Sequence, residues 1–193
     1  MGHLRPTTGS IKLIISLLGL LGGLYLVVDV SAPALTFFNA SASDVIKHEL
    51  DATKPGIKGD RLYIPKINVD VAIVTGENAA VLEQGAWHRH PENGDPENGG
   101  NFVLSAHRFS LGLTPQQTVI KSPFYNIDKL QLGDEIYVDY EGSRYAYKVT
   151  RHYGVERTAT EIEVRTAKAT MTLYSCDLRG EKAGREVIEA SLL

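Results

Sequence analysis

Only one cysteine occurs in the 193 residues, together with one tryptophan and two methionines. A single thiol excludes an internal disulfide, and it removes the paired-cysteine zinc motifs. Charge of one sign is missing as well: 20 Lys and Arg face 23 Asp and Glu, a formal net charge of -3. No basic footprint suited to nucleic acid is present, so a nucleic-acid partner is not expected. Gly99-Gly100 is followed by neither the helix nor the lysine that a phosphate-cradling loop requires. The run Pro91 to Gly100, PENGDPENGG, repeats a unit too short to be a structural repeat and reads as a polar loop. With 43% hydrophobic and 22% charged residues, the chain can bury one core rather than two.

Long apolar runs are absent except near the start. Residues 13 to 28, LIISLLGLLGGLYLVV, approach with their flanks the roughly 20 residues that cross a bilayer core. Arg5 and Lys12 precede the run while Asp29 and Asp44 follow it, so the positive-inside tendency predicts a cytoplasmic N-terminus and an extracellular remainder. The run exceeds the 7–15 residues usual for a cleaved signal-peptide core, although Ala32-Pro33-Ala34 superficially resembles a cleavage site. The expected organisation is a cytoplasmic tail over 1–12, a single-pass membrane anchor over 13–30, an extracellular stalk over 31–58 and a single folded domain over 59–193. Within the stalk, SASDVIKHELDATKPG predicts a short helix that starts at Ser43 or Asp44 and is closed by Pro55-Gly56.

After Lys58 the pattern changes to short β-prone runs separated by turn residues, which predicts an all-β barrel or sandwich. The expected strands are Arg61 to Ile64, Val69 to Val74, Asn101 to His107, Glu135 to Tyr140, Tyr145 to Tyr153, Thr170 to Ser175 and Arg185 to Ala190. Pro65, Gly76, Gly133, Gly142 and Gly180 punctuate them. Helix is expected only as one or two turns in Ser122 to Leu130 and Thr160 to Thr166.

Cys176 ends the run ATMTLYSC and precedes the polar loop DLRGEKAG, so its sulfur is expected where a strand emerges at the rim of the domain. A lone thiol is either a small buried apolar residue or a reactive group. A reactive thiol needs cationic neighbours or a histidine to share its proton. Arg179, Lys182 and Arg185 follow it closely, and His107 closes the strand FVLSAH. Composition alone does not require the two strand ends to meet.

These segments carry a resemblance to the sortase family. TLYSC resembles the signature Thr-Leu-Xaa-Thr-Cys, LSAHR resembles the strand end bearing the family histidine, and GREVIEA resembles the strand that opens with the family arginine. The motifs fall in family order, with His107 69 positions before Cys176 and Arg185 nine after it. RLYIPKINVDVAIVTG, GAWH and FYNIDKLQLGDEIYVDY add supporting matches, and the resemblance extends over roughly Asp60 to Leu193. It implies a closed sortase-type β-barrel of about eight strands with short helices.

It further implies that Cys176 is the nucleophile, His107 the general acid and base, and Arg185 the group that steadies the developing oxyanion or the bound signal backbone. Ser175 and Ala106 take substrate-binding positions. No cofactor and no metal are implied. The expected partners are secreted proteins bearing a C-terminal LPXTG-like sorting signal, and an amine acceptor such as a peptidoglycan precursor or a pilin lysine.

Ser175 departs from the family threonine, keeping the hydroxyl and losing the methyl. Asp177 beside the thiol would disfavour its ionised form. His88, next to Trp87, is expected to serve packing or loop hydrogen bonding, and His90 and His152 to be ordinary surface or strand histidines. Arg179 competes with Arg185 only as a loop cap or a solvent-facing charge. Glu92, Asp95 and Glu97 read as a solvated turn rather than a calcium loop. The end of the chain after its last strand, and the short connection from Tyr153 to Thr170, favour a general-purpose sortase over pilus-polymerising or haem-protein-anchoring types. An L,D-transpeptidase is disfavoured because its Ser-His-Gly-Cys cluster is missing. The alternative reading is a non-catalytic, surface-displayed β-barrel adaptor derived from a sortase.

Overall fold

Among the described residues, runs of β-branched and aromatic residues bounded by turn formers build nine strands: β1 (Arg61–Ile64), β2 (Val69–Val74), β3 (Ala86–Arg89), β4 (Gly94–Asp95), β5 (Gly99–Ser105), β6 (Glu135–Tyr140), β7 (Ser143–Val155), β8 (Thr170–Cys176) and β9 (Arg185–Leu192). Their order in the sheet is β3-β2-β1-β6-β7-β9-β8-β5, and pairing of β3 with β5 closes these eight into a barrel. The two-residue β4 hangs on β5 outside the ring. Most neighbours are antiparallel; β2 with β3 and β5 with β8 run parallel. The computed structural model describes residues 8–38, 40–52, 54–55, 57–179 and 181–193, so Arg5, Gly56 and Gly180, cited above, lie outside the described residues.

Alternation along each strand sorts side chains to two faces. Phe102, Leu104, Met171, Leu173, Ile188 and Ala190 point into the barrel and share its main core with Leu62 and Ile136. Their intervening neighbours Val103, Tyr174 and Val187 point outward and are covered by Ile162 from the β7–β8 connection. Asn101 pins this connection: its Nδ2 donates to the carbonyls of Ile162 at 2.9 Å and Val164 at 3.0 Å. Its Oδ1 accepts from Thr172 at 2.7 Å. The connection is thereby a strap across the outer wall of β5, β8 and β9.

Among the described residues, three α-helices accompany the barrel: α1 (Thr8–Thr36), α2 (Ala40–Ala52) and α3 (Pro115–Lys121). α1 carries a stretch, Ile11–Thr36, long and apolar enough to cross a membrane. It runs past the expected boundary at Val30 and through Pro33 to Thr36. Its C-terminal part is docked, with Asn126 Nδ2 donating to the Pro33 carbonyl at 2.9 Å and Asn68 Nδ2 to that of Thr36. α2 buries Ile46 and Leu50 against Tyr63 on the outer face of β1, so much of the segment expected as a stalk lies against the barrel. α3 was not expected. Thr114 caps it by accepting from the Gln117 amide at 3.2 Å, and Pro115 occupies its first turn.

Candidate active site

The parallel pairing of β5 with β8 sets their C-terminal ends side by side, in the register Ser105 opposite Tyr174. The antiparallel β9 starts at that same end, with Arg185 directly opposite Cys176. His107, two residues beyond the end of β5, therefore joins a cysteine and an arginine that are distant in the chain. Period-two alternation puts Tyr174 and Cys176 on the outer face of β8, and Arg185 and Val187 on that of β9. All three expected residues line one groove of about 510 Å³, together with Ser105, Ala106, Arg89 and Phe109. Cys176 is exposed in this groove.

His107 is held from the side away from the strands. Its Nε2 lies 3.1 Å from Glu83 Oε1, on the short helical turn Ala79–Glu83. An ionised carboxylate only accepts, so Nε2 carries the proton and Nδ1 is left for exchange. Lys121 at the end of α3 approaches the other oxygen of Glu83 at 2.9 Å. Its hydrogen bond is the main reason that the Glu83 carboxyl lies below its usual range, with a smaller contribution from His107.

Arg185 sits in a web centred on Glu163, a carboxylate whose side chain is 7% exposed. Arg185 Nη1 donates to the Ala159 carbonyl at 3.2 Å and lies 3.8 Å from Glu163 Oε1, while its guanidinium stacks 4.8 Å from the Tyr174 ring centre. Tyr174 donates its hydroxyl to Glu163, and Arg89 and His90 approach the same carboxylate at 3.5 and 3.3 Å. Burial first, and the bond to Glu163 next, push the Tyr174 hydroxyl above the normal tyrosine range. Gly184, immediately before Arg185, has φ +108, and an added Cβ would lie 2.4 Å from the Val155 carbonyl oxygen. The β9 entry is therefore shaped by a residue without a side chain.

Asp177 does not stand bare beside the sulfur. Arg179 binds it through Nε at 3.0 Å and Nη2 at 2.9 Å, and this pairing holds its carboxyl at about 2. Arg179 is thus committed to the loop after β8. Ser175 is 1% exposed and is not among the residues lining the groove, because alternation turns it to the opposite face from Cys176. Its hydroxyl donates to the Cys176 carbonyl at 3.3 Å. Ala106 lines the groove, although its methyl belongs to the barrel core.

His88 is buried, donates from Nε2 to the Gly94 carbonyl at 3.1 Å and packs edge-on to Phe102. His152 pairs with Glu186 at 2.5 Å. Asp95 accepts from the Glu97 and Asn98 amides, closing its own loop. Among the described residues, no group of three or more His, Cys, Asp or Glu side chains is placed to hold a metal ion. Glu83, Glu163 and Tyr174 are the site residues that sequence reasoning missed. Glu83 and Glu163 belong to no motif, and Tyr174 fills the variable position of TLYSC, so only the run of acids in TEIEV offered a signal.

Residues 62–193 match the model of the sortase domain family. Sortase A of Listeria monocytogenes is 26% identical over 152 residues, covering 79% of this chain and 64% of that protein. Sortase D of Bacillus subtilis is 28% identical over 116 residues, covering 60% and 52%. The chain thus spans between about half and two thirds of the length of these curated relatives. Among solved structures, a Clostridium perfringens sortase D5 transpeptidase superposes with a TM-score of 0.58 at 27% identity, over 78% of this chain and 88% of that one.

Proposed function

This chain belongs to the sortase family, and from that premise we propose that it is a membrane-anchored cysteine transpeptidase acting on secreted proteins with a C-terminal LPXTG-like sorting signal. The observation that carries the reading is the convergence of an exposed thiol, an imidazole and a guanidinium on one groove. In the proposed cycle, Cys176 gives its thiol proton to the free nitrogen of His107, the thiolate attacks the Thr-Gly carbonyl carbon and forms a C–S bond, and the carbonyl electrons move to an oxyanion. Arg185 donates to that oxygen or to the adjoining signal backbone, as a fixed, permanently charged fork can. Collapse breaks the C–N bond. His107 protonates the departing glycine amine, leaving the substrate's N-terminal part as a thioester. An incoming amine, from a peptidoglycan precursor or a pilin lysine, gives a proton to His107 and attacks the thioester. The amide forms and Cys176 is released. Glu83 orients the imidazole, and Glu163 with Tyr174 holds the guanidinium.

The apolar stretch of α1 supports anchorage in the cell membrane with a cytoplasmic N-terminus and the barrel outside. The test is turnover of a fluorogenic LPXTG-type peptide by the full chain, with several signal variants and an added amine. Turnover, with an acyl-enzyme trapped by mass spectrometry and lost in Cys176→Ala, is expected; His107→Ala and Arg185→Ala should each lose most of it. Absence of both turnover and adduct across the signal variants would instead support a non-catalytic adaptor.

A further inference from the structure

The twelve residues Phe109 to Ile120, FSLGLTPQQTVI, contain no charged side chain, in a protein in which 22% of residues are charged. They lead from the groove, where Phe109 contributes to the lining, out to α3. Their apolar side chains are poorly covered: Leu113 is 83% exposed, Ile120 73% and Leu111 50%. Water penalises such a cluster, so its surroundings require an explanation.

α1 supplies one. Asn126 and Asn68 hold the C-terminal end of α1 at Pro33 and Thr36, while Thr118 donates to Asp29 Oδ1 at 2.6 Å and Tyr25 donates to the Leu113 carbonyl at 2.7 Å. At about 1.5 Å per residue, Tyr25 stands roughly 16 Å up the helix from Thr36. The segment therefore climbs alongside the helix, away from the barrel. About 20 residues counted back from Val30 fill a bilayer core, which puts Tyr25 inside that core or at its outer boundary. Leu113 is bonded to Tyr25 and shares its depth. Asp29, the one acid within the apolar stretch, is 2% exposed under this segment, so its charge is kept from the lipid that would otherwise surround it.

We propose that residues 109–120 form a membrane-contact element, with Leu111, Leu113 and Ile120 seated in the interfacial region of the leaflet that holds the outer end of α1. The proposal rests on reading α1 as a membrane anchor. The strand polarity gives it a functional meaning. His107 and Cys176 lie at the C-terminal ends of β5 and β8, and residues 109–120 lead from that same end to α1, so the proposed contact element adjoins the groove.

The experiment uses the full chain in lipid nanodiscs whose acyl chains are brominated, in parallel preparations, near the headgroup and near the bilayer centre, so that tryptophan is quenched at either depth. Leu113→Trp and Ile120→Trp probe the element and Leu21→Trp reports on the anchor. Val164→Trp, whose site is held by Asn101 at the opposite end of β5, serves as the control. The unsubstituted chain gives the background of native Trp87. We expect the added emission at 113, 120 and 21 to be blue-shifted and largely quenched, and that at 164 to be red and unquenched. Quenching at 21 with none at 113 and 120 overturns the contact element while leaving the anchor intact. A lack of quenching at 21 overturns the anchor reading, and the proposal with it. Blue-shifted but unquenched emission at 113 and 120 identifies a protein cover and also refutes the proposal.

Discussion

Replacing Glu163 by glutamine tests the idea that a buried carboxylate holds the Arg185 guanidinium in the groove. Glutamine keeps the volume and one acceptor for the Tyr174 hydroxyl, and removes the charge that faces Arg89 and Arg185 at 3.5 and 3.8 Å. Turning a charge-assisted bond into a neutral one costs about 1 kcal/mol. The two long ion pairs, each with a partly exposed arginine, add about 0.5–1 kcal/mol apiece. The sum, about 2–3 kcal/mol, corresponds at this domain size to a fall in thermal midpoint of about 6–9 °C. Arg185 would retain the Ala159 carbonyl and the Tyr174 face, so partial rather than complete loss of function is expected: kcat/KM about tenfold lower, equivalent to about 1.4 kcal/mol. Differential scanning calorimetry and peptide turnover measure the two effects. A variant that melts within about 2 °C of the parent and turns over within about twofold of it refutes the hub.

Glu83→Gln should behave differently, because its pairs are exposed: a melting point changed by about 1 °C at most, with turnover lowered about three- to tenfold as the imidazole loses its orienting partner. A fall in stability without loss of rate would make Glu83 structural only. Gly184→Ala forces a Cβ toward the Val155 carbonyl at positive φ, and should cost about 1–3 kcal/mol in denaturant titrations and reduce turnover by displacing Arg185. Unchanged stability would show that this corner relaxes freely. At high pH, Tyr153 and Tyr174 predict alkaline unfolding. Burial and then a bond to Glu189 push Tyr153 up to about 12, and burial and Glu163 raise Tyr174. Free tyrosine ionises near 10, so the folded state holds these protons longer than the unfolded one. Stability is then level below about pH 10 and declines as pH rises toward the folded values. Tyrosinate absorbance rising together with loss of circular dichroism checks this, and ionisation with no loss of structure contradicts it.

Strands such as Val69–Val74 and Glu135–Tyr140 were legible because alternation and flanking turn residues spell them out locally. The sulfur, the imidazole and the guanidinium were legible through their motifs. β3 was missed because AWHR mixes a tryptophan and two polar residues whose partners, β2 and β5, are known only once the barrel closes. α3 was missed although Thr114-Pro115 is a sound start, since a seven-residue helix offers little apolar period to read. The resemblance puts Ser175 at a substrate-binding position, whereas its one-residue step from Cys176 along the strand turns its side chain to the opposite face. Glu83 and Glu163 act through contacts across 24 and 22 positions of sequence, to His107 and Arg185, and no local pattern announces such contacts.

The parallel seam between β5 and β8 also dictates when the candidate site can assemble. Bringing Ser105 to Tyr174 closes a long loop, a costly and late event in a folding reaction. Until that seam forms, the thiol has no imidazole beside it and behaves as an ordinary cysteine. A chain that has not yet closed this seam therefore carries Cys176 without the rest of the candidate site, and during refolding, any peptide turnover should emerge with the slowest structural phase and never before it.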